Sequence, residues 1–160
     1  MTGPRRLSQA ISEGDGISLI VAVRGPEDAV AAEARGAEAL LAEGDGIDSI
    51  RAATGLPIVT ADGALGDARI VCPGDDDLEL GDAVELVVQV EREEELEEAL
   101  ERFDPELFVL SAPDLDRVLD LLSDVPAGKL AIADLGAATP TEIEELERAG
   151  VDAVLLRTSA

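Results

Sequence analysis

The chain has 160 residues, and its 36 Asp and Glu against 12 Lys and Arg leave a formal net charge of −24 at pH 7. It has no His, Trp or Tyr, two Phe, one Met and one Cys, so imidazole catalysis, a Ser-His-Asp triad, a His-ligated zinc, an internal disulfide and a Cys-rich metal cluster are excluded within one chain. A charge of this sign repels phosphate backbones, which excludes nucleic acid as a partner, and 46% hydrophobic residues exclude disorder by composition.

One compact domain covering residues 1–160 is expected from the length. Arg5 and Arg6 are followed by Ser8, Gln9 and Glu13 rather than by an apolar core, so the start does not read as a signal peptide. No apolar run approaches the roughly 20 residues needed to span a bilayer. A soluble cytoplasmic protein without membrane contact is expected. Eleven arginines accompany a single lysine, Lys129. With so many carboxylates, either a saline habitat that screens self-repulsion or a GC-rich genome accounts for that bias.

Short β-rich runs recur about every 20 residues. In chain order they are Ile17–Val23, Ala37–Leu41, Leu56–Thr60, Ala68–Cys72, Val84–Val90, Leu107–Leu110, Lys129–Ala133 and Asp152–Leu156. Most are nearly continuous apolar runs, as in strands buried on both faces of a parallel sheet. Helical patterns lie between them. Pro26, ahead of Glu27 and Asp28, suits a first helical position, where its missing N–H costs little. Leu96, Ala99, Leu100 and Phe103 form an apolar stripe among glutamates, and Leu115, Val118, Leu119 and Leu122 form another. Thr139-Pro140-Thr141-Glu142 reads as a capping box leading into Ile143, Leu146 and Ala149. Gly36 and Gly150 stand where helices must stop before a strand. The segments Ala34–Leu41 and Arg148–Leu155 echo one another: helix end, glycine, strand.

Eight strands alternating with helices predict an α/β fold, a minimal (β/α)8 TIM barrel. That architecture typically takes about 250 residues, so helices must be short or missing around strands 3–5. Asp62–Asp67 leaves six residues between strands three and four, fewer than a parallel crossover normally needs. Six extended residues reach about 20 Å, just enough to return along a short strand. If that return fails, the two strands form a hairpin and the barrel does not close.

At this point the residues resemble a family. Ile17–Arg24 is similar to the first strand of indole-3-glycerol phosphate synthase, Leu56–Val59 to its third, and Val88–Val90 with Glu93–Leu100 to its fifth strand and helix. The fullest stretch runs from Ile132 to Ser159, with Ala133-Asp134-Leu135-Gly136, Thr139-Pro140 and Ala149–Leu155. The resemblance covers about half of the chain, and the Ala-Gly-x-Asp-Ala-Val-Leu part is shared with other phosphate-binding barrels. It implies a tryptophan-biosynthesis lineage and a carbon–carbon lyase ancestry.

The matching catalytic positions are altered. The first-strand glutamate and lysine correspond to Ala22 and Arg24, and the third-strand lysine and aspartate to Ala61 and Asp62. The fifth-strand glutamate corresponds to Gln89, and the sixth-strand asparagine pair to Ser111 and Ala112, with Asp114 and Leu115 continuing the motif. The seventh-strand Glu-Ser-Gly corresponds to Asp134, Leu135 and Gly136, and the eighth-strand glycine to Arg157. Indole closure needs a general acid and base; alanine has no proton to transfer, and arginine effectively gives none up. The fold reads as inherited and the chemistry as erased, a pseudoenzyme.

Carboxylates still follow the strands, at Asp45, Asp62, Asp75–Asp77, Glu91, Asp114 and Asp134. They read as a solvated acidic rim or as oxygen ligands for a divalent ion; the rim is the simpler account and no cofactor is expected. Asp62 and Asp134 are the candidate catalytic pair. Arg24, Gly136, Arg157, Thr158 and Ser159 are the candidate phosphate holders, unless Arg157 plugs the pocket or pairs with Asp134. Cys72, beside Asp75–Asp77, reads as a buried structural thiol. The expected function is a non-catalytic or drifted barrel binding a small phosphorylated molecule. Two alternatives stay open: a lyase or isomerase-type enzyme using the acidic mouth, and an acidic interaction or scaffold protein.

Overall fold

Near-continuous apolar runs become strands here because most of their side chains, inward and outward alike, are buried. The computed structural model describes residues 11, 17–42, 47–60, 68–71, 85–102, 105, 107–112, 114–126, 128–135 and 139–156. The strands are β1 (Ser18–Val23), β2 (Ala39–Ala42), β3 (Ile58–Thr60), β4 (Ala68–Val71), β5 (Glu85–Val90), β6 (Leu107–Ser111), β7 (Leu130–Asp134) and β8 (Ala153–Leu156). Each lies within two residues of its predicted bounds. They pair in chain order, all parallel, and β8 returns to β1, closing the barrel. Five helices are present among the described residues: α1 (Pro26–Ala34), α2 (Ile47–Ala53), α3 (Glu93–Arg102), α4 (Leu115–Leu122) and α5 (Pro140–Ala149).

The critical return succeeds. β3 and β4 are parallel, with Val59 opposite Ala68 and Thr60 opposite Arg69, so the hairpin does not form. Strands of only three and four residues shorten the distance that the connection must cover. Residues 61–67 and 72–84, where short or missing helices were expected, lie outside the described residues.

Followed once around the barrel, the pairing registers bring a residue back eight positions displaced, the shear of a (β/α)8 barrel. That shear sorts inward side chains into levels contributed by alternate strands. Ile20, Val59, Val87 and Ile132 share one level; Leu41, Ile70, Val109 and Leu155 lie above it, and Ala39, Ala68, Leu107 and Ala153 below. All twelve are buried. The interior is therefore a packed apolar core beneath the strand ends, not a pore.

Outward side chains meet the helices. Val88, Val90, Phe108, Leu110, Ala131, Ala133 and Val154 pack with Leu96 and Ala99 of α3, Val118 and Leu121 of α4, and Leu146 of α5. Val23, Leu40, Ala42 and Ile58 pack with Ala29 and Ala32 of α1 and Ile50 of α2. Two predicted stripes need correction. In α4 the buried residues are Val118 and Leu121, while Leu115, Leu119 and Leu122 are half-buried. In α5 only Leu146 is buried and Ala149 is exposed. The seven-residue α2 was not anticipated, because one buried anchor, Ile50, leaves no periodicity to read. Phe103 lies outside the described residues.

The helix signals are realised. Pro26 stands at the start of α1. The Thr139 hydroxyl accepts the Glu142 N–H at 3.2 Å, and Glu142 Oε1 accepts the Thr139 N–H at 3.0 Å, the reciprocal capping box. The internal echo is also a hydrogen-bond echo. The Gly36 N–H donates to the Glu33 carbonyl and Ala37 N–H to Ala32; Gly150 N–H donates to Glu147 and Val151 N–H to Leu146. Both helices thus end in a Schellman motif, with glycine at φ +97° and +103°, a backbone that L side chains rarely adopt. Two residues later, Glu38 N–H reaches the Leu19 carbonyl of β1 and Asp152 N–H the Ala131 carbonyl of β7.

Candidate functional site

Parallel barrels place their working groups at the C-terminal strand ends. Asp134, last in β7, alternates with the outward Ala133 and so faces the interior, 5% exposed. By register its level holds Ala22 of β1 and Gln89 of β5, both half-buried. Directly beneath are Leu41, Ile70, Val109 and Leu155. Asp134 therefore caps the apolar core and forms part of the floor of the mouth. A buried carboxylate is costly without partners, and Asp134 is engaged within the fold; its carbonyl also accepts the Ala112 N–H at 3.1 Å.

Arg24 follows β1 directly and is exposed. Its N–H donates to Asp28 Oδ2 at 3.2 Å, at the start of α1. With Val23 of β1 opposite Ala42 of β2 and Val21 opposite Leu156 of β8, Arg24 emerges at the end of β1, between its two neighbours. The other candidates, Asp62, Gly136, Arg157, Thr158 and Ser159, lie outside the described residues, as do Asp45, Cys72 and Asp75–Asp77.

The described rim carboxylates have local work. Asp114 caps α4, its Oδ1 accepting the Arg117 N–H at 2.9 Å, which places negative charge where the helix start favours it. The Glu91 N–H donates to Glu95 Oε1 at 2.8 Å, ahead of α3. Among the described residues, no three Asp, Glu or Cys side chains gather closely enough to hold a metal ion.

Reading the sequence for carboxylates left two cations unnoticed. A recess of about 310 Å³ at the ends of β5 and β6 is lined by Glu91, Arg92, Ser111, Ala112 and Arg117. Arg92 is two residues past β5, and Arg117 sits in the first turn after β6. Applied to cations, the rule that picked out residues following strands would have found both. A second recess, about 330 Å³, runs along β1 and α1 and is lined mainly by Val21, Ala22, Val23, Ala31 and Ala32, with Asp28 and Arg35. It is a packing seam more than a site.

No protein-family model matches the sequence. Among the described residues, no helix is long and apolar enough to cross a membrane.

Proposed function

We propose that this chain is a trimmed barrel of the indole-3-glycerol phosphate synthase lineage that no longer performs that chemistry and binds a small phosphorylated ligand at its mouth. The observation that carries the reading is the level formed by Ala22, Gln89 and Asp134. These are the positions at which the resembling family keeps its first-strand, fifth-strand and seventh-strand carboxylates. Here they supply one carboxylate, one neutral amide and one methyl group over an apolar floor. General acid–base catalysis needs two proton-transfer groups held within reach of the reacting atoms. Asp134 has no such second group among the described residues of its level, which also weighs against a lyase or isomerase working through the acidic mouth.

Ligand binding asks less. Arg24 presents a permanent cation at the end of β1, and guanidinium–phosphate pairing is strong because two N–H donors match two oxygens. The test is thermal unfolding in the presence of ribose 5-phosphate, together with an assay for indole formation from the family's substrate. Ligand at about 100 times its Kd stabilises by about 2.7 kcal/mol, and Arg24→Gln should reduce that gain. Indole production, or no stabilisation at millimolar sugar phosphate, would overturn the reading.

A further inference from the structure

We infer that the recess between the ends of β5 and β6 is a separate oxyanion site, in which Arg92 and Arg117 hold a phosphate or carboxylate group of a small molecule. It lies across the mouth from the end of β1, where Arg24 stands, and it is independent of the ligand proposed there.

The first argument is the fate of the charges. In a chain with 36 carboxylates and 12 cations, an arginine seldom lacks an acidic neighbour in the sequence. Arg92 is followed by Glu93, Glu94 and Glu95, and Arg117 by three residues to Asp120; Glu91 lines the same recess. Yet neither guanidinium forms an ion pair with a carboxylate among the described residues. Two cations from successive βα units instead border one cavity of about 310 Å³, at the small end of the range for ligand pockets.

The second argument is the donor set. Ser111 is half-buried at the end of β6 and lines the recess, and among the described residues its hydroxyl has no hydrogen-bond partner. Two planar guanidinium forks and a hydroxyl match the oxygens of a phosphate or carboxylate group. The start of α4 contributes little, since Asp114 already accepts the Arg117 N–H. The side chains must do the holding. Glu91 sets the sign of a control: as a like charge at the rim it opposes an anion, so neutralising it should tighten binding.

The probes are inorganic phosphate and acetate, titrated while the Nε–Hε signals of the eleven arginines are followed by NMR. Saturable shifts of the Arg92 and Arg117 signals are expected with phosphate. The Arg117→Gln variant should bind about tenfold or more weaker, and Glu91→Gln should bind tighter, with backbone spectra otherwise unchanged. Saturation by acetate as well would extend the site to carboxylates, whereas saturation by phosphate alone would restrict it to phosphate groups; both support it. Linear, unsaturable drift of the two signals would overturn it, as would shifts confined to Arg24, a result that leaves the proposal for Arg24 standing.

Discussion

Asp152 shows how much a single side chain does where strands meet. Its Oδ2 accepts the Ala131 N–H at 2.9 Å, its own N–H donates to the Ala131 carbonyl at 3.0 Å, and its carbonyl accepts the Ser18 N–H at 3.0 Å. One residue thereby ties β7, β8 and β1 together at the N-terminal side of the barrel. The second copy of the internal echo thus has, at this position, a structural duty. Ala131 is 1% exposed, so Asp152→Ala strands a buried donor, at a cost of about 1–3 kcal/mol. Asp152→Asn keeps an accepting oxygen and should cost less. Urea unfolding of both variants checks this, and equal losses would argue against the hydrogen bond as the cause. At this scale the capping residues Thr139 and Glu142 were readable because their chemistry is local. Arg92 and Arg117 were not, because what marks them is convergence across two βα units.

Helices in this chain are short, and each depends on one or two anchors. In α3 the buried residues are Leu96 and Ala99, in α4 Val118 and Leu121, in α5 Leu146 alone. Fewer than about 12 residues do not hold a helix in water without tertiary packing, so these anchors largely decide whether the outer layer forms. Leu121 is fully buried and Leu122 half-buried. Leu121→Ala should therefore cost about 2–5 kcal/mol and Leu122→Ala clearly less, as read from denaturant midpoints; the reverse order would contradict the packing described for α4. The sequence stripe of Leu115, Val118, Leu119 and Leu122 picks the wrong one of the two adjacent leucines, since spacing alone does not say which of them a neighbour takes. The neighbour here is the outer face of β5–β8.

As a whole, the molecule sets an apolar interior of three levels against a formal charge of −24. The interior attracts without regard to salt, whereas surface carboxylates repel over a Debye length of about 10 Å at 0.1 M salt. Raising ionic strength at fixed pH should accordingly raise the unfolding temperature as self-repulsion is screened; a thermal scan series in sodium chloride tests it, and a flat response would mean that the charges are already locally compensated. The sequence by itself determined the eight strands, the parallel α/β class and the helix starts at Pro26 and Thr139. Those depend on runs, periods and caps within a few residues. It also determined that Ala22 and Gln89 could not serve as acids or bases. Only the tertiary structure decided that β3 and β4 run parallel, that the shear is eight, and that Asp134 shares its level with Ala22 and Gln89. It alone brought Arg92 and Arg117 to one recess. Closure and level are properties of the whole ring of registers, and no local stretch of chain contains them.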